Sequence, residues 1–214
     1  MSMRKIITTA CLIVSLASGT AGAGGDPAAG QIKASSCAFC HGPDGNSSDP
    51  AIPKLAGQFE KYILQQSLLF HSGKRKDAAM QGVTAVINSD QDLADIAAHF
   101  ASQVLISEKA PNSVTAQQGK IIYEGMLKCY LCHGPNGEGN PGSSETDAAP
   151  RLAGQHKTYL IKTLKEFRSA QRRSKNGFMM NTIMPMVSDA EIEALCEYLS
   201  RIDLTAPENP TDPQ

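Results

Sequence analysis

Along the chain, Leu93, Ile96, Ala97, Phe100 and Val104 recur at spacings of three and four, and Ile192, Leu195, Cys196, Leu199 and Ile202 repeat that pattern. A 3.6-residue period of this kind predicts one amphipathic helix in each place. Ser89-x-x-Asp92 and Ser188-x-x-Glu191 stand just before these runs and predict a capping box at each start. A second pair of helices is predicted further upstream, through Tyr62, Leu64, Leu68 and Phe70 and through Tyr159, Ile161, Leu164 and Phe167. Shorter helices are predicted over 28–35 and 116–126. No stretch alternates strongly enough to predict a strand, so the fold class is all-α.

The pairing of these elements reflects a duplication. Cys37-Ala-Phe-Cys40-His41-Gly-Pro43 recurs as Cys129-Tyr-Leu-Cys132-His133-Gly-Pro135. Pro53-Lys-Leu-Ala-Gly-Gln58 recurs as Pro150-Arg-Leu-Ala-Gly-Gln155, with Tyr62 against Tyr159 and Phe70 against Phe167. The offset rises from 92 at the cysteines to 97 at the second block, which places a five-residue insertion in the loop 139–146. Two copies make a tandem pair rather than a solenoid. Residues 108–113 read as a linker, and the segment after Leu204, with Pro207, Pro210 and Pro213, reads as a disordered tail. The predicted domains are therefore 24–110 and 111–214.

The first 23 residues read as a leader. Arg4 and Lys5 precede an apolar run from Ile6, and Ala21-Gly22-Ala23 offers a small-residue cleavage site. The run is too short to span a bilayer, and export to the periplasm is the expectation. A formal net charge of -1 supplies no basic footprint for nucleic acid. Aromatic residues make up only 5% and Trp is absent, so two small domains would build thin cores from side chains alone.

Two thiols three residues apart can add to the two vinyl groups of one haem, and the histidine that follows then lies beneath the porphyrin where it can bind iron. A zinc site would have to draw both pairs together and would leave His41 and His133 unexplained. A thioredoxin-type dithiol needs a βαβ context that the pattern lacks. Two disulfides are the remaining use of four exported cysteines, and the histidine after each pair argues against them. The motifs thus predict two covalently attached haem c groups, held by Cys37 and Cys40 and by Cys129 and Cys132. A buried porphyrin would also supply the apolar bulk the chain lacks.

Each iron needs a sixth ligand or an open position. His71, His99 and His156 face Arg168, Tyr198 and Phe59 in the other copy, so a duplicated bis-histidine arrangement is not predicted. Methionine fits better. Met80 is the one Met after the cysteines in the first copy, while Met179, Met180, Met184 and Met186 compete in the second. Met80 lies seven residues before Ile87, and Met180 seven before Val187, which favours Met180; counting from the serines favours Met179 instead. Cys196 falls on the inward face of the last helix and reads as a small buried apolar residue.

With these residues assembled, the chain resembles the di-haem cytochrome c4 family over its whole mature length. The paired C-x-x-C-H-G-P-x-G clusters, the P-[KR]-L-A-G-Q-x-x-x-Y blocks and a Met followed by Ser-Asp and a terminal helix carry the likeness. The resemblance implies two tandem class I cytochrome c domains related by a pseudo-twofold. It further implies His41 and Met80 as axial ligands of one haem and His133 and Met180 as those of the other. The carbonyls of Pro53 and Pro150 would accept the imidazole N–H. The implied role is a periplasmic carrier, not an enzyme, that passes single electrons to a terminal oxidase or reductase. Its donor would be a quinol-oxidising complex or a dehydrogenase, and peripheral membrane association is compatible with the sequence. The alternatives are the cytochrome subunit of a dehydrogenase complex, such as a flavocytochrome, and a di-haem peroxidase, which would need one open iron position.

Overall fold

The computed structural model describes residues 24–108, 113–125, 127–142, 148–175 and 177–204. The leader, linker residues 109–112, Met126 and the tail after Leu204 lie outside them. Among the described residues the regular structure is helical, apart from one isolated bridge between Asn140 and Ala149. The first half contains α1 (Pro27–Lys33), α2 (Ser35–His41), α3 (Glu60–His71), α4 (Ala78–Ala85) and α5 (Asp90–Ala101). The second contains α6 (Val114–Glu124), α7 (Tyr130–His133), α8 (Lys157–Arg168) and α9 (Phe178–Ile183). A 3-10 turn, Met184–Met186, then leads into α10 (Asp189–Ser200).

Each half is closed by a crossing of its first and last helices at a glycine. A Cβ on Gly30 would stand 1.9 Å from the Asp95 carbonyl oxygen, and one on Gly119 would stand 2.0 Å from that of Ala194. Only a residue without a side chain lets the backbones approach this closely. The two glycines lie seven and ten residues before Cys37 and Cys129, so the second copy has three extra residues there. This explains why α2 runs on from Ala34 and includes both thiols, whereas α7 starts only after Cys129.

The structure corrects several sequence expectations. The first helix does not run through 28–35: it ends at Lys33, and Ala34 joins it to α2. The terminal helices stop at Ala101 and Ser200, short of Val104 and Ile202, and Val104 is exposed. Ser188 and Glu191 form the reciprocal capping box, but the first copy forms half of one. Ser89 Oγ accepts from Asp92 N–H, while the shorter Asp92 carboxylate pairs with Lys33 at 2.6 Å instead of reaching back. Short helices α4 and α9 were not foreseen, because their apolar residues do not repeat long enough to show a period.

The apolar clusters are small and unequal. The second half gathers ten buried residues around Tyr123, Phe167, Ile192 and Leu199; the first gathers five, Ala34, Ile63, Ile96, Ala97 and Phe100. Cys37 packs against the first cluster and Cys129 against the second, so one thiol of each pair borders a core that side chains only partly fill.

Helices α3 and α8 end in the same way. Gly73, at φ +68°, donates its N–H to the Phe70 carbonyl, and Ala170, at φ +56°, donates to that of Phe167. The left-handed conformation is free for glycine but crowds an alanine Cβ. Ala170→Gly should therefore stabilise the protein by about 1 kcal/mol, raising the melting temperature by about 2–4 °C for a chain of this size. Gly73→Ala should lower it, and thermal denaturation of both variants checks the pair.

Candidate haem sites and the junction between them

Cysteines three apart on a helix share a face, and a histidine four residues after the first falls on that same face. Helix α2 arranges Cys37, Cys40 and His41 in this way, and Cys129 with α7 arranges Cys132 and His133. In both sites the first thiol is half-buried and the second exposed, and none of the described cysteines forms a disulfide. Nor do the two thiol pairs converge on one metal cluster among the described residues.

Both histidines are buried and tied down at one nitrogen. His41 Nδ1 lies 2.9 Å from the Pro53 carbonyl oxygen, and His133 Nδ1 lies 2.9 Å from that of Pro150. A carbonyl can only accept, so Nδ1 carries the proton and Nε2 is left as a free lone pair. Burial pushes both imidazoles below their ordinary pKa, against the raising effect of the carbonyls, and so favours the neutral ligand form. Gly42 (φ +81°) and Gly134 (φ +79°) end the two helices directly after the imidazoles and turn the chain away. A pair of thiols beside a free, oriented imidazole nitrogen is the donor set a covalent haem requires.

The methionines also fall into place by position. Met80 is the third residue of α4, its N–H capped by Asp77 Oδ1 at 3.2 Å, and Met180 is the third residue of α9. Each is half-buried, and Met180 packs against the cluster that Cys129 borders. Met184 is sunk in that cluster, whereas Met179 and Met186 are exposed. The other histidines are occupied elsewhere. His71 bonds the Thr84 carbonyl, the His99 ring lies tilted at 55° to that of Phe100, and His156 bonds Ser47.

The repeated glutamines have a role that the sequence reading missed. Gln58 Nε2 donates to the Arg151 carbonyl at 2.9 Å, and its Oε1 accepts from Arg151 N–H at 3.0 Å. Gln155 does the same to Lys54, at 2.9 Å in both directions. Each glutamine thus pairs with the backbone of the opposite domain like an extra strand residue. Lys54 and Arg151 directly follow the prolines that hold the imidazoles, so the junction grips the chain one residue from each haem site. The repetition of this block, identical but for Lys54 against Arg151, was the available signal.

Cys196 is fully buried in α10, and burial pushes its thiol up to about 12. Native holoprotein should take up no iodoacetamide label, because the other thiols are held as thioethers. After denaturation it should take up one label per mature chain, counted by intact mass.

The cytochrome c family model matches residues 28–103 and 116–203. Cytochrome c4 of Pseudomonas aeruginosa is 42% identical over 203 residues, covering 92% of this chain and 98% of that protein. The crystal structure of reduced recombinant cytochrome c4 from Pseudomonas stutzeri superposes with a TM-score of 0.75. It is 37% identical and covers 84% of this chain and 100% of its own. The thiosulfate dehydrogenase electron acceptor of Stutzerimonas stutzeri is 31% identical, covering 79% of this chain and 80% of that protein.

Proposed function

The chain belongs to the cytochrome c family and, within it, to the di-haem cytochromes c4, and from that premise we propose that it works in the periplasm, taking single electrons from a quinol-oxidising complex or a dehydrogenase and passing them to a terminal oxidase. It carries two covalent haem c groups and is an electron carrier. No described helix is long and apolar enough to cross a membrane, which is compatible with a carrier that moves between membrane-bound partners.

In this reading Cys37 and Cys40 hold the haem of domain 24–110, with His41 and Met80 as axial ligands. Cys129 and Cys132 hold that of domain 111–214, with His133 and Met180. Haem supplies the one-electron chemistry, at a potential that methionine ligation raises above that of a bis-histidine site. The protein contributes orientation. Pro53 and Pro150 fix the tautomer and ring plane of each imidazole and increase the basicity of Nε2. With Met80 and Met180 also bound to iron, neither haem would keep a position for a substrate, which argues for carriage rather than catalysis. The observation that carries this reading is the repetition, in both halves, of an imidazole held at 2.9 Å by a proline carbonyl. A methionine at the third position of the short helix downstream completes each set.

The thiosulfate dehydrogenase acceptor among the relatives supports a second reading, in which a periplasmic dehydrogenase is the direct donor. Both readings require the same ligands. Met180→His should abolish the methionine-to-iron charge-transfer absorbance of one haem and leave the other, while Met179→Leu should leave both. An unchanged spectrum in Met180→His would move the ligand to another methionine of that segment.

A further inference from the structure

The two short helices that carry the methionines are anchored differently. In α4 both backbone groups of Met80 are engaged. Asp77 Oδ1 accepts from Met80 N–H at 3.2 Å, and Thr84 Oγ1 donates to the Met80 carbonyl at 2.7 Å. Thr84 is buried, and its own carbonyl accepts from His71 Nδ1–H at 2.8 Å, so α3 holds the C-terminal end of α4 from within the first domain. The N-terminal end is held from the other domain. Lys162 of α8 donates to Asp77 Oδ2 at 3.3 Å, while the other oxygen of that carboxylate caps Met80. Two hydrogen bonds in series thus run from a cation of the second domain to the backbone of the first domain's methionine.

Neighbouring contacts fix this approach. Arg75, two residues before Asp77, donates from Nη2 to Tyr159 Oη at 3.2 Å. Tyr159 and Lys162 are three apart on α8 and share a face, so the segment from Arg75 to Asp77 runs along one side of that helix. Arg172 reaches Tyr62 Oη of α3 at 2.7 Å in the reciprocal way, but the likeness between the halves stops there. Gly177 stands three residues before Met180 and offers no side chain to cap α9. Gln65 stands in α3 where α8 has Lys162. Helix α9 is tied to its own domain instead, through Asn181 Nδ2, which donates to the Phe167 and Arg172 carbonyls at 2.8 and 3.0 Å.

We propose that Lys162 of the second domain is a positioning residue for the first haem: through Asp77 it keeps the first turn of α4 formed and so opposes release of Met80 from iron, with no reciprocal hold on Met180. The inference rests on the di-haem reading and deepens it. A capping carboxylate stabilises the turn in which Met80 sits, and the ammonium keeps that carboxylate oriented. The effect is modest, because 51% of the Lys162 side chain and 31% of that of Asp77 are exposed, and Lys162 also meets Glu166 at 3.8 Å. An ion pair in such a setting shifts an equilibrium by about 1.5- to 5-fold.

The test is displacement of the axial methionine by imidazole in oxidised holoprotein carrying two haems, at about pH 8 where imidazole is neutral, followed by the methionine-to-iron absorbance. In a Met180→His background the remaining absorbance belongs to the Met80 haem. There Lys162→Ala and Asp77→Asn, which keeps a capping oxygen, should each lower the half-displacing imidazole concentration about 1.5- to 5-fold. Lys162→Arg should restore it, and the double variant should do no more than either single change. In a Met80→His background, where Met180 is the reporter, Lys162→Ala should change nothing. No shift at the Met80 haem, or an equal shift at both haems, would overturn the proposal, the second by making Lys162 a general support of the fold. If the histidine backgrounds do not load two haems, wild type and Lys162→Ala are compared directly, and one of the two displacement phases should move; neither or both moving would overturn the proposal. A loaded Met80→His chain that keeps both absorbances would instead overturn the ligand assignment itself.

Discussion

The structure depends on one hydrogen bond made twice, from a buried imidazole Nδ1–H to a proline carbonyl 2.9 Å away. It decides which nitrogen is protonated, and hence which one is free to bind iron. Because it joins the cysteine helix to the loop that precedes α3 or α8, it also fixes where that loop lies. The next residue, Lys54 or Arg151, then presents both backbone groups to a glutamine of the opposite domain. The orientation of a ligand and the association of the domains thus rest on consecutive residues. Each of the four glutamine bonds is worth on the order of 1 kcal/mol net. Their larger effect is to hold the two sites in a fixed relation without a covalent cross-link.

The two halves satisfy this constraint with different amounts of packing. The second half encloses Tyr123, Phe167, Ile192 and Leu195 in a cluster twice the size of its counterpart, whereas the first relies on Ile63, Ile96 and Phe100 with the two alanines Ala34 and Ala97. Ordering a chain of this length costs backbone entropy that so few buried side chains do not offset. A porphyrin face in each half adds the missing apolar area, and the first half has the greater need of it. Polar groups are sited with equal economy: His71 and His156 bond carbonyls, and the buried arginines lie where two domains meet.

Much of this was legible in the sequence, for reasons that can be named. The thiol-histidine clusters were readable because their chemistry demands fixed spacing on one helical turn, and α2 and α7 supply that turn. Helices α3 and α8 were marked by matching apolar residues at one offset in the two copies, and α5 and α10 showed a sustained 3.6-residue period. Helices α4 and α9 were hidden because eight and six residues are too few to display one. The break at Ala34 was missed because alanine favours helix and no local residue marks an end there. The half-formed cap at Ser89 was missed because Lys33, distant in sequence, competes for Asp92. The glutamine exchange and the arginine cluster lie between domains, and no local pattern reports which repeated residues face each other. Their repetition at one offset was visible; their meeting was not.

The account stands on porphyrin being fastened at both thiol pairs. Proteolysis of the mature, processed protein followed by peptide mass spectrometry locates the attachment most directly. The prediction is one haem on the peptide containing Cys37, Cys40 and His41 and a second on that containing Cys129, Cys132 and His133. Unmodified thiols, a disulfide or only a single haem in those two peptides would contradict it.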